Sequence, residues 1–299
     1  FRRVLFRSEV MERLRQERGV FLGREAELMT LRDAYREMMA SGESRAVAVV
    51  GEMGIGKSRL AEEFLDGVPS DQRVVLRCTC VVNASDQAYR TVATMIGDNL
   101  GSGPVALARL RKIVQKLFTG EEGDYVYHSF AYILGQRVEG SLIEALDPES
   151  RRSRVALSMR RFLDRLSRRA TVILLLEDVH WADSLSLAML QDMLSSRYSR
   201  RILVLLTARP TDRMAAILRS PFLTRVHLEE LGEQERREVV AHQLLVPQEA
   251  EVVAAWVAER AGGNPFFLMA TLRVLEDRGA LQRRDRGFEL RRSLDELDG

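Results

Sequence analysis

A glycine-rich stretch between an apolar run and a helical pattern is the feature that most constrains this chain. The run AVAVV (46–50) is typical of a strand buried on both faces. GEMGIGKS follows it directly, and KSRLAEEFLDG then predicts a helix that ends at Gly67. The spacing G-x-x-x-x-G-K-[ST] between a strand and a helix predicts a loop that binds phosphate groups. Further strands are predicted at 73–78, 171–178, 201–210 and 224–231, and their alternation with helices indicates an α/β protein with a doubly wound parallel sheet.

The composition strengthens the interpretation of this motif. Only three of the 45 basic residues are lysines, and one of them, Lys57, lies in the loop. In a chain of this composition the pattern should arise by chance in about one sequence in a thousand. A net charge of +2 indicates no particular partner. No apolar stretch approaches the roughly 18 residues of a membrane helix, so we expect a cytoplasmic protein without a membrane partner.

The loop is expected to bind ATP or ADP. Its glycines let the backbone curl so that successive N–H groups point inward, and the following helix offers its positive end to the phosphates. Lys57 can reach the β- and γ-phosphates, and Ser58 can supply a hydroxyl to Mg²⁺. The expected nucleotide-binding residues of this segment are Gly51, Glu52, Met53, Gly54, Ile55, Gly56, Lys57, Ser58 and Arg59.

Two acidic residues end the predicted strand TVILLLED and complete the expected site. Ligands of parallel sheets bind beyond the carboxyl ends of the strands, which places Glu177 and Asp178 on the phosphate side. One of them should hold Mg²⁺ while the other orients or deprotonates the attacking water. We favour Glu177 for the metal and Asp178 for the water. The reverse assignment stays open, because many phosphate-loop proteins have Asp at the first position.

Arg209 is a third candidate at this edge, because TARP closes the next predicted strand. A guanidinium there could bind the γ-phosphate and report its loss. The alternative is an arginine paired with surface carboxylates. Cys78 and Cys80 share one face of a predicted strand, and we interpret them as structural thiols.

The domain organisation follows from these elements. Residues 1–20 are predicted to be a leader and linker, of which 1–8 resemble the read-through of a sequencing adapter and are expected to be non-native. Residues 21–215 should form a P-loop NTPase domain with a helical insertion at about 85–169. Residues 216–299 should form a helical lid with a terminal hairpin. We expect the chain to be a fragment of a longer protein.

Five segments together resemble one family: FLGREAEL, GEMGIGKSRL, LLLEDVHWAD, LLTARP and GNPFFL. In this order they are similar to the signal-transduction ATPases with numerous domains (STAND), a P-loop class related to AAA+ and initiator-type ATPases. The resemblance covers residues 21 to about 291. It is greatest to the regulatory ATPase modules of large LuxR-type transcription activators and of proteins with adenylate cyclase or serine/threonine kinase domains.

The resemblance also implies roles for residues outside the loop. Leu22, Gly23 and Arg24 would lie against the adenine, and Pro265 would close a helical lid over the nucleotide. For His180 and Trp181 we expect packing and orientation rather than catalysis.

The main functional hypothesis is an Mg²⁺-dependent regulatory ATPase that acts as a nucleotide-controlled switch and hydrolyses ATP slowly. Its partners would be fused helix-turn-helix, cyclase or kinase output domains, and nucleotide-dependent self-association is a further expectation. One alternative is an interaction scaffold that retains ADP with negligible turnover. Another alternative is a DNA-binding regulator acting through the arginine-rich segment 149–169. The ordinary explanation of that segment is a solvated charged face, so we expect no direct binding to nucleic acid.

Overall fold

The computed structural model describes residues 21–71, 73–81, 88–97, 100, 103–195, 200–244, 247–284 and 287–291. The predicted leader and linker at 1–20 lie outside these residues.

Strands and helices alternate along most of the described chain. The strands are β1 (Arg45–Gly51), β2 (Arg73–Thr79), β3 (Thr171–Glu177), β4 (Ile202–Ala208), β5 (Leu223–Leu228), β6 (Leu281–Arg284) and β7 (Gly287–Leu290). The α-helices are α1 (Glu25–Ser41), α2 (Lys57–Asp66), α3 (Arg90–Gly97), α4 (Gly103–Leu117), α5 (Glu121–Ile133), α6 (Pro148–Ser167), α7 (Ser184–Met193), α8 (Ala215–Leu218), α9 (Glu233–Ala241), α10 (Pro247–Ala261) and α11 (Pro265–Asp277). Short 3₁₀ helices span Val179–Trp181 and Asp212–Met214.

The first five strands form one parallel sheet in the order β2-β3-β4-β1-β5. Every residue of β3 and β4 is buried, as is the interior of β1, which explains why these strands appear as continuous apolar runs. In register, Val50 pairs with Ala208 and Thr79 pairs with Glu177, so the carboxyl ends of these strands lie at one edge of the sheet. The predicted α/β fold with a parallel sheet is confirmed.

The described chain divides into two compact units. The first comprises residues 31–50 and 66–226, and it contains the sheet and the helical insertion. Helices α5 and α6 pack together in its core, where the rings of Phe130 and Phe162 meet edge to face at 5.0 Å between centroids.

The second unit comprises residues 21–30, 51–65 and the described residues from 227 onward. Its core is formed by helices α9, α10 and α11, with Val240, Val257 and Leu268 buried. The guanidinium of Arg260 lies 4.2 Å from the ring centroid of Trp256 on α10. Strands β6 and β7 pair in antiparallel fashion, which confirms the predicted hairpin. By their contacts, the phosphate loop and α2 belong to this unit.

Candidate functional site

The glycine-rich loop before α2 adopts a conformation that needs its glycines. Gly54 and Gly56 have φ angles of +77° and +103°, which residues with a side chain rarely adopt. A Cβ atom on Gly54 would lie 2.5 Å from Cβ of Phe266, and one on Gly51 would lie 2.8 Å from the carbonyl oxygen of Leu228. Glycine is therefore required at 56 by conformation, at 51 by close contact and at 54 by both.

Lys57 is the buried cation of this loop. Its side chain is largely covered, with the residue 7% exposed, and Nζ donates hydrogen bonds to the carbonyl oxygens of Gly51 at 2.9 Å and Glu52 at 2.7 Å. Ile55 is buried and anchors the loop, whereas Ser58 is exposed in the first turn of α2. The first N–H groups of a helix lack acceptors within the helix and carry its positive partial charge. An ammonium group and a helix N-terminus therefore lie together, as a phosphate chain requires.

Arg24 joins the segment before α1 to the segment after β5. The guanidinium donates to Oε1 of Glu27 at 3.0 Å and to the backbone carbonyl of Glu229, and the residue is 8% exposed. These contacts give Arg24 a structural role in the second unit. Its contact with adenine stays a prediction.

The neighbours of Arg24 are also placed within this unit. Gly23 has a φ of +73°, and a Cβ there would lie 3.2 Å from the side chain of Glu235. Leu22 is partly buried, and the guanidinium of Arg59 lies 5.9 Å from the ring centroid of Phe21. The adenine-side roles of Leu22 and Gly23 likewise stay predictions.

The GNP segment touches the phosphate loop through Asn264. Pro265 occupies the first position of α11, where its fixed φ suits a helix start. Asn264 is the residue before it, and its Nδ2 donates to the carbonyl oxygen of Met53 at 2.8 Å. Sequence reasoning chose Pro265 and missed Asn264. The available signal was Asn before Pro, which is an N-cap pattern.

Glu177 and Asp178 differ in environment although they are consecutive. Glu177 ends β3, is 7% exposed, and accepts a hydrogen bond from Oγ1 of Thr79 at 3.4 Å. Asp178 has left-handed backbone angles, φ 53° and ψ 42°, and its N–H donates to Oγ1 of Thr207 at 3.0 Å. A left-handed Asp is uncommon, and such conformations persist where the surroundings enforce them. Thr207, which is fully buried on β4, was not predicted as part of this edge.

Arg209 follows β4 at the same edge of the sheet. Its backbone N–H donates to Nδ1 of His180 at 3.3 Å, and its side chain is partly exposed. His180 is buried, and its ring centroid lies 5.0 Å from that of Trp181. The contacts of His180 agree with the expected role in packing and orientation. Binding of a γ-phosphate by Arg209 stays a prediction.

Asp183, the last residue of HWAD, is a buried structural carboxylate. It is 1% exposed and caps α7 by accepting from the N–H of Ser186 at 2.9 Å. The same carboxylate accepts from the N–H groups of Tyr89 and Thr91, each at 3.0 Å. An Asp directly before a helix is itself an N-cap signal in the sequence. The bonds to residues 89 and 91 have no local sequence signal.

Cys78 and Cys80 are buried thiols that are not joined in a disulfide, as the sequence indicated. A hydrogen bond with Cys78 lowers the pKa of the Cys80 thiol below its ordinary value, although burial opposes this. Sγ of Cys80 also lies 3.8 Å from Oγ1 of Thr91. Across the described ranges, no group of three or more His, Cys, Asp or Glu side chains could hold a metal ion.

The arginine-rich segment 149–169 contains eight arginines, and each has a partner within the first unit. Several pair with carboxylates, others donate to backbone carbonyls, and Arg154 lies 4.2 Å from the ring centroid of Tyr125. Arg151 alone donates to three carbonyl oxygens, those of Ile143, Glu144 and Leu146. These contacts give the arginines a structural role, and the nucleic-acid hypothesis gains no support from them.

The predicted site residues thus fall into two groups. The loop 51–58, the segment 21–24 and the segment 263–266 belong to the second unit. Glu177, Asp178 and Arg209 belong to the first unit, at the carboxyl edge of the sheet. None of the helices in the described part of the chain is long and apolar enough to cross a membrane.

Comparison with known proteins gives one sequence relative and several solved structures. The chain is 26% identical over 196 residues to an uncharacterized protein of Rhizobium meliloti (strain 1021), a match that covers 64% of this chain and 19% of that protein. The chain therefore spans about a fifth of the length of the curated relative.

The solved structures include a Signal Transduction ATPase with Numerous Domains (STAND) protein with a tetratricopeptide repeat sensor from Pyrococcus horikoshii. It is 17% identical, with a TM-score of 0.46, and the match covers 83% of this chain and 29% of that protein. The ORC1 protein of Aeropyrum pernix, solved in complex with DNA, is 16% identical with a TM-score of 0.47. That match covers 92% of this chain and 64% of ORC1.

The family model described as AAA ATPase domain matches residues 20–206. The matched region begins before α1 and includes the glycine-rich loop, the helical insertion and the acidic end of β3. Since it takes in more than half of the residues, the chain belongs to the family of AAA ATPase domains.

Proposed function

We propose that this chain is an ATP-binding, Mg²⁺-dependent regulatory module that acts as a nucleotide-controlled switch within a larger multidomain regulator of the STAND type. The family establishes a nucleotide-binding ATPase module in general terms. The observation that carries the proposal is the loop 51–58, where positive-φ glycines and buried Lys57 precede the N-terminus of α2.

The loop fits a phosphate chain by its shape and its charge. The close contacts at Gly51 and Gly54 leave no room for side chains at these two positions. Lys57 would exchange its bonds with the loop carbonyls for bonds to phosphate oxygens.

The types of side chain present also suit a magnesium ion, whose other ligands would come from the nucleotide and from water. Mg²⁺ prefers oxygen ligands, and in nucleotide sites it takes few of them from the protein because phosphates and water complete its shell. Ser58 and Glu177 are the proposed protein ligands. When bound, the ion would neutralise charge on the phosphate oxygens.

Hydrolysis would depend on Asp178. Thr207 holds the backbone of Asp178 by accepting its N–H, and Asp178 has left-handed backbone angles. We assign Asp178 the orientation or deprotonation of the attacking water, and Arg209 the stabilisation of the γ-phosphate. The hydrolysis would be slow, as suits a switch. Fused helix-turn-helix, cyclase or kinase domains would receive the signal.

Nucleotide binding is tested by replacing Lys57 with Ala. The Lys57→Ala variant should lose ATP binding in a titration with a fluorescent ATP analogue, because the cation facing the phosphates is gone. Lys112→Ala is the matched control, since Lys112 is an exposed lysine on α4. An unchanged affinity of Lys57→Ala for the ATP analogue would refute the proposal.

Turnover is tested separately with Asp178→Asn. This variant should keep ATP binding and lose phosphate release. If the unaltered chain copurifies with ADP and releases no more phosphate than Asp178→Asn, the chain is an ADP-retaining interaction scaffold instead.

A further inference from the structure

We propose that Asn264 is the positioning residue that transmits the state of the phosphate loop to helix α11. The proposal rests on nucleotide binding by the loop, as proposed above. It adds the route by which the helices of the second unit would respond to the nucleotide. All of the residues involved lie within that unit.

Both polar atoms of the Asn264 side chain are engaged. Nδ2 donates to the carbonyl oxygen of Met53 at 2.8 Å, and Oδ1 accepts from the N–H of Phe266 at 3.0 Å, which caps α11. The residue is 8% exposed, so water competes little for these bonds. A reversed amide would place its NH₂ group against the N–H of Phe266 and its oxygen against the carbonyl oxygen of Met53, so the arrangement requires the amide in this orientation. One side chain thereby joins the loop backbone to the start of the helix.

The loop and the helix are also in direct contact at Gly54. A Cβ on this residue would lie 2.5 Å from Cβ of Phe266 and 3.0 Å from Oδ1 of Asn264. The loop and the first turn of α11 are therefore too close for any side chain at position 54. A shift of residues 53 and 54 toward α11 on binding phosphate would therefore require an adjustment of Asn264 and Phe266, and a shift away from α11 would stretch the bond from Asn264 to Met53.

The segment on the other side of Asn264 is held as well. The carbonyl oxygen of Gly263 accepts from the N–H of Leu231 at 2.8 Å. The N–H of Gly263 donates to Oε2 of Glu230 at 3.3 Å. Farther along α11, Leu268 and Leu272 are fully buried in the helical core. Because a helix moves as a unit, displacement of its first turn would carry these core residues with it.

Two substitutions separate the loop contact from helix capping. Asp and Ser are good N-cap residues, so Asn264→Asp and Asn264→Ser should both keep the start of α11. Asp places an acceptor opposite the carbonyl oxygen of Met53, and Ser is too short to reach it. Both variants should therefore lose the link to the loop while the helix persists.

The experiment measures hydrogen exchange across residues 265–272 without nucleotide, with ADP and with a non-hydrolysable ATP analogue. In the unaltered chain the two nucleotides should produce different protection of α11. In both variants the ratio between the protection factors of α11 with the two nucleotides should fall by about fivefold. This is the factor that corresponds to the loss of one hydrogen bond, about 1 kcal/mol. Affinity is measured in parallel by fluorescence titration, and folding without nucleotide by circular dichroism.

The outcomes are distinguishable. Two folded variants that keep the full nucleotide-dependent difference in α11 would overturn the role of Asn264, as would an unaltered chain that binds nucleotide without a response in α11. If Asn264→Asp fails to fold, Asn264→Ser decides alone, because it introduces no repulsion. Absence of nucleotide binding by the unaltered chain would refute the proposed function itself, and the coupling with it.

Discussion

Replacement of Asp183 should destabilise the first unit more than the loss of an ordinary helix cap. Its carboxylate, 1% exposed, accepts from the backbone N–H groups of Tyr89, Thr91 and Ser186. Asp183→Ala removes the cap of α7, which costs about 1 kcal/mol. It also leaves two further buried N–H groups without an acceptor, at about 1 to 3 kcal/mol each. We therefore expect a loss of about 3 to 7 kcal/mol in the free energy of unfolding.

Asp183→Asn tests the same three hydrogen bonds one group at a time. Its amide oxygen can keep the bonds from Tyr89 and Ser186, while its amide nitrogen faces the N–H of Thr91. One bond is lost and two donors oppose each other, so the expected loss is about 2 kcal/mol.

The assay combines urea unfolding with hydrogen exchange of residues 89–97, because a chain with two compact units need not unfold in one step. The control is Asp147→Ala, which removes an exposed cap that accepts from the N–H groups of Glu149 and Ser150. Exchange at 89–97 should accelerate in the Asp183 variants and remain unchanged in Asp147→Ala. If Asp183→Ala costs no more stability than Asp147→Ala, the three-donor explanation is wrong.

Two further predictions concern the helical insertion. Burial lowers the pKa of His128, whose Nδ1 accepts from the N–H of Leu142 at 3.1 Å, while Asp124 opposes the shift. The unfolded chain therefore binds the proton more readily, and the free energy of unfolding should fall as the pH drops below about 6.5, the pKa of His128 in the unfolded chain. His128→Asn can still accept the bond from the N–H of Leu142, and it should reduce the dependence of the free energy of unfolding on pH between pH 7 and 5.5, measured in urea. An unchanged pH dependence would exclude His128 as its source. Arg151→Lys should lower the free energy of unfolding in urea by about 1 to 2 kcal/mol, because an ammonium group cannot reach all three carbonyl oxygens. The control Arg152→Lys should change it by less than about 0.5 kcal/mol, since Arg152 donates to the carbonyl oxygen of Pro148. Equal losses in the two variants would contradict this explanation.

Elements defined by continuous patterns could be predicted from the sequence. The buried strands β1, β3 and β4 are unbroken apolar runs, and the loop at 51–58 has an ordered spacing of glycines and Lys57. Boundaries were less accurate. The strand predicted at 224–231 ends at Leu228 in the structure, so the last three residues of the predicted range lie outside β5.

Contacts between distant residues could not be predicted in the same way. Asn264 bonds to Met53 across 211 positions, and Asp183 bonds to Thr91 across 92. Neither pair leaves a periodic pattern, because each bond depends on how separate elements pack. Arg24 shows the same limit, since its partner carbonyl at Glu229 appears only in the folded second unit.

The chain has only two tryptophans, and they are divided between the two compact units. Trp181 is 36% exposed beside His180, close in sequence to Glu177 and Asp178, whereas Trp256 on α10 stacks against Arg260. Replacing either one with Phe leaves a single indole whose emission reports one unit alone. Intrinsic fluorescence can therefore follow the acidic edge and the helical unit separately, without an attached dye.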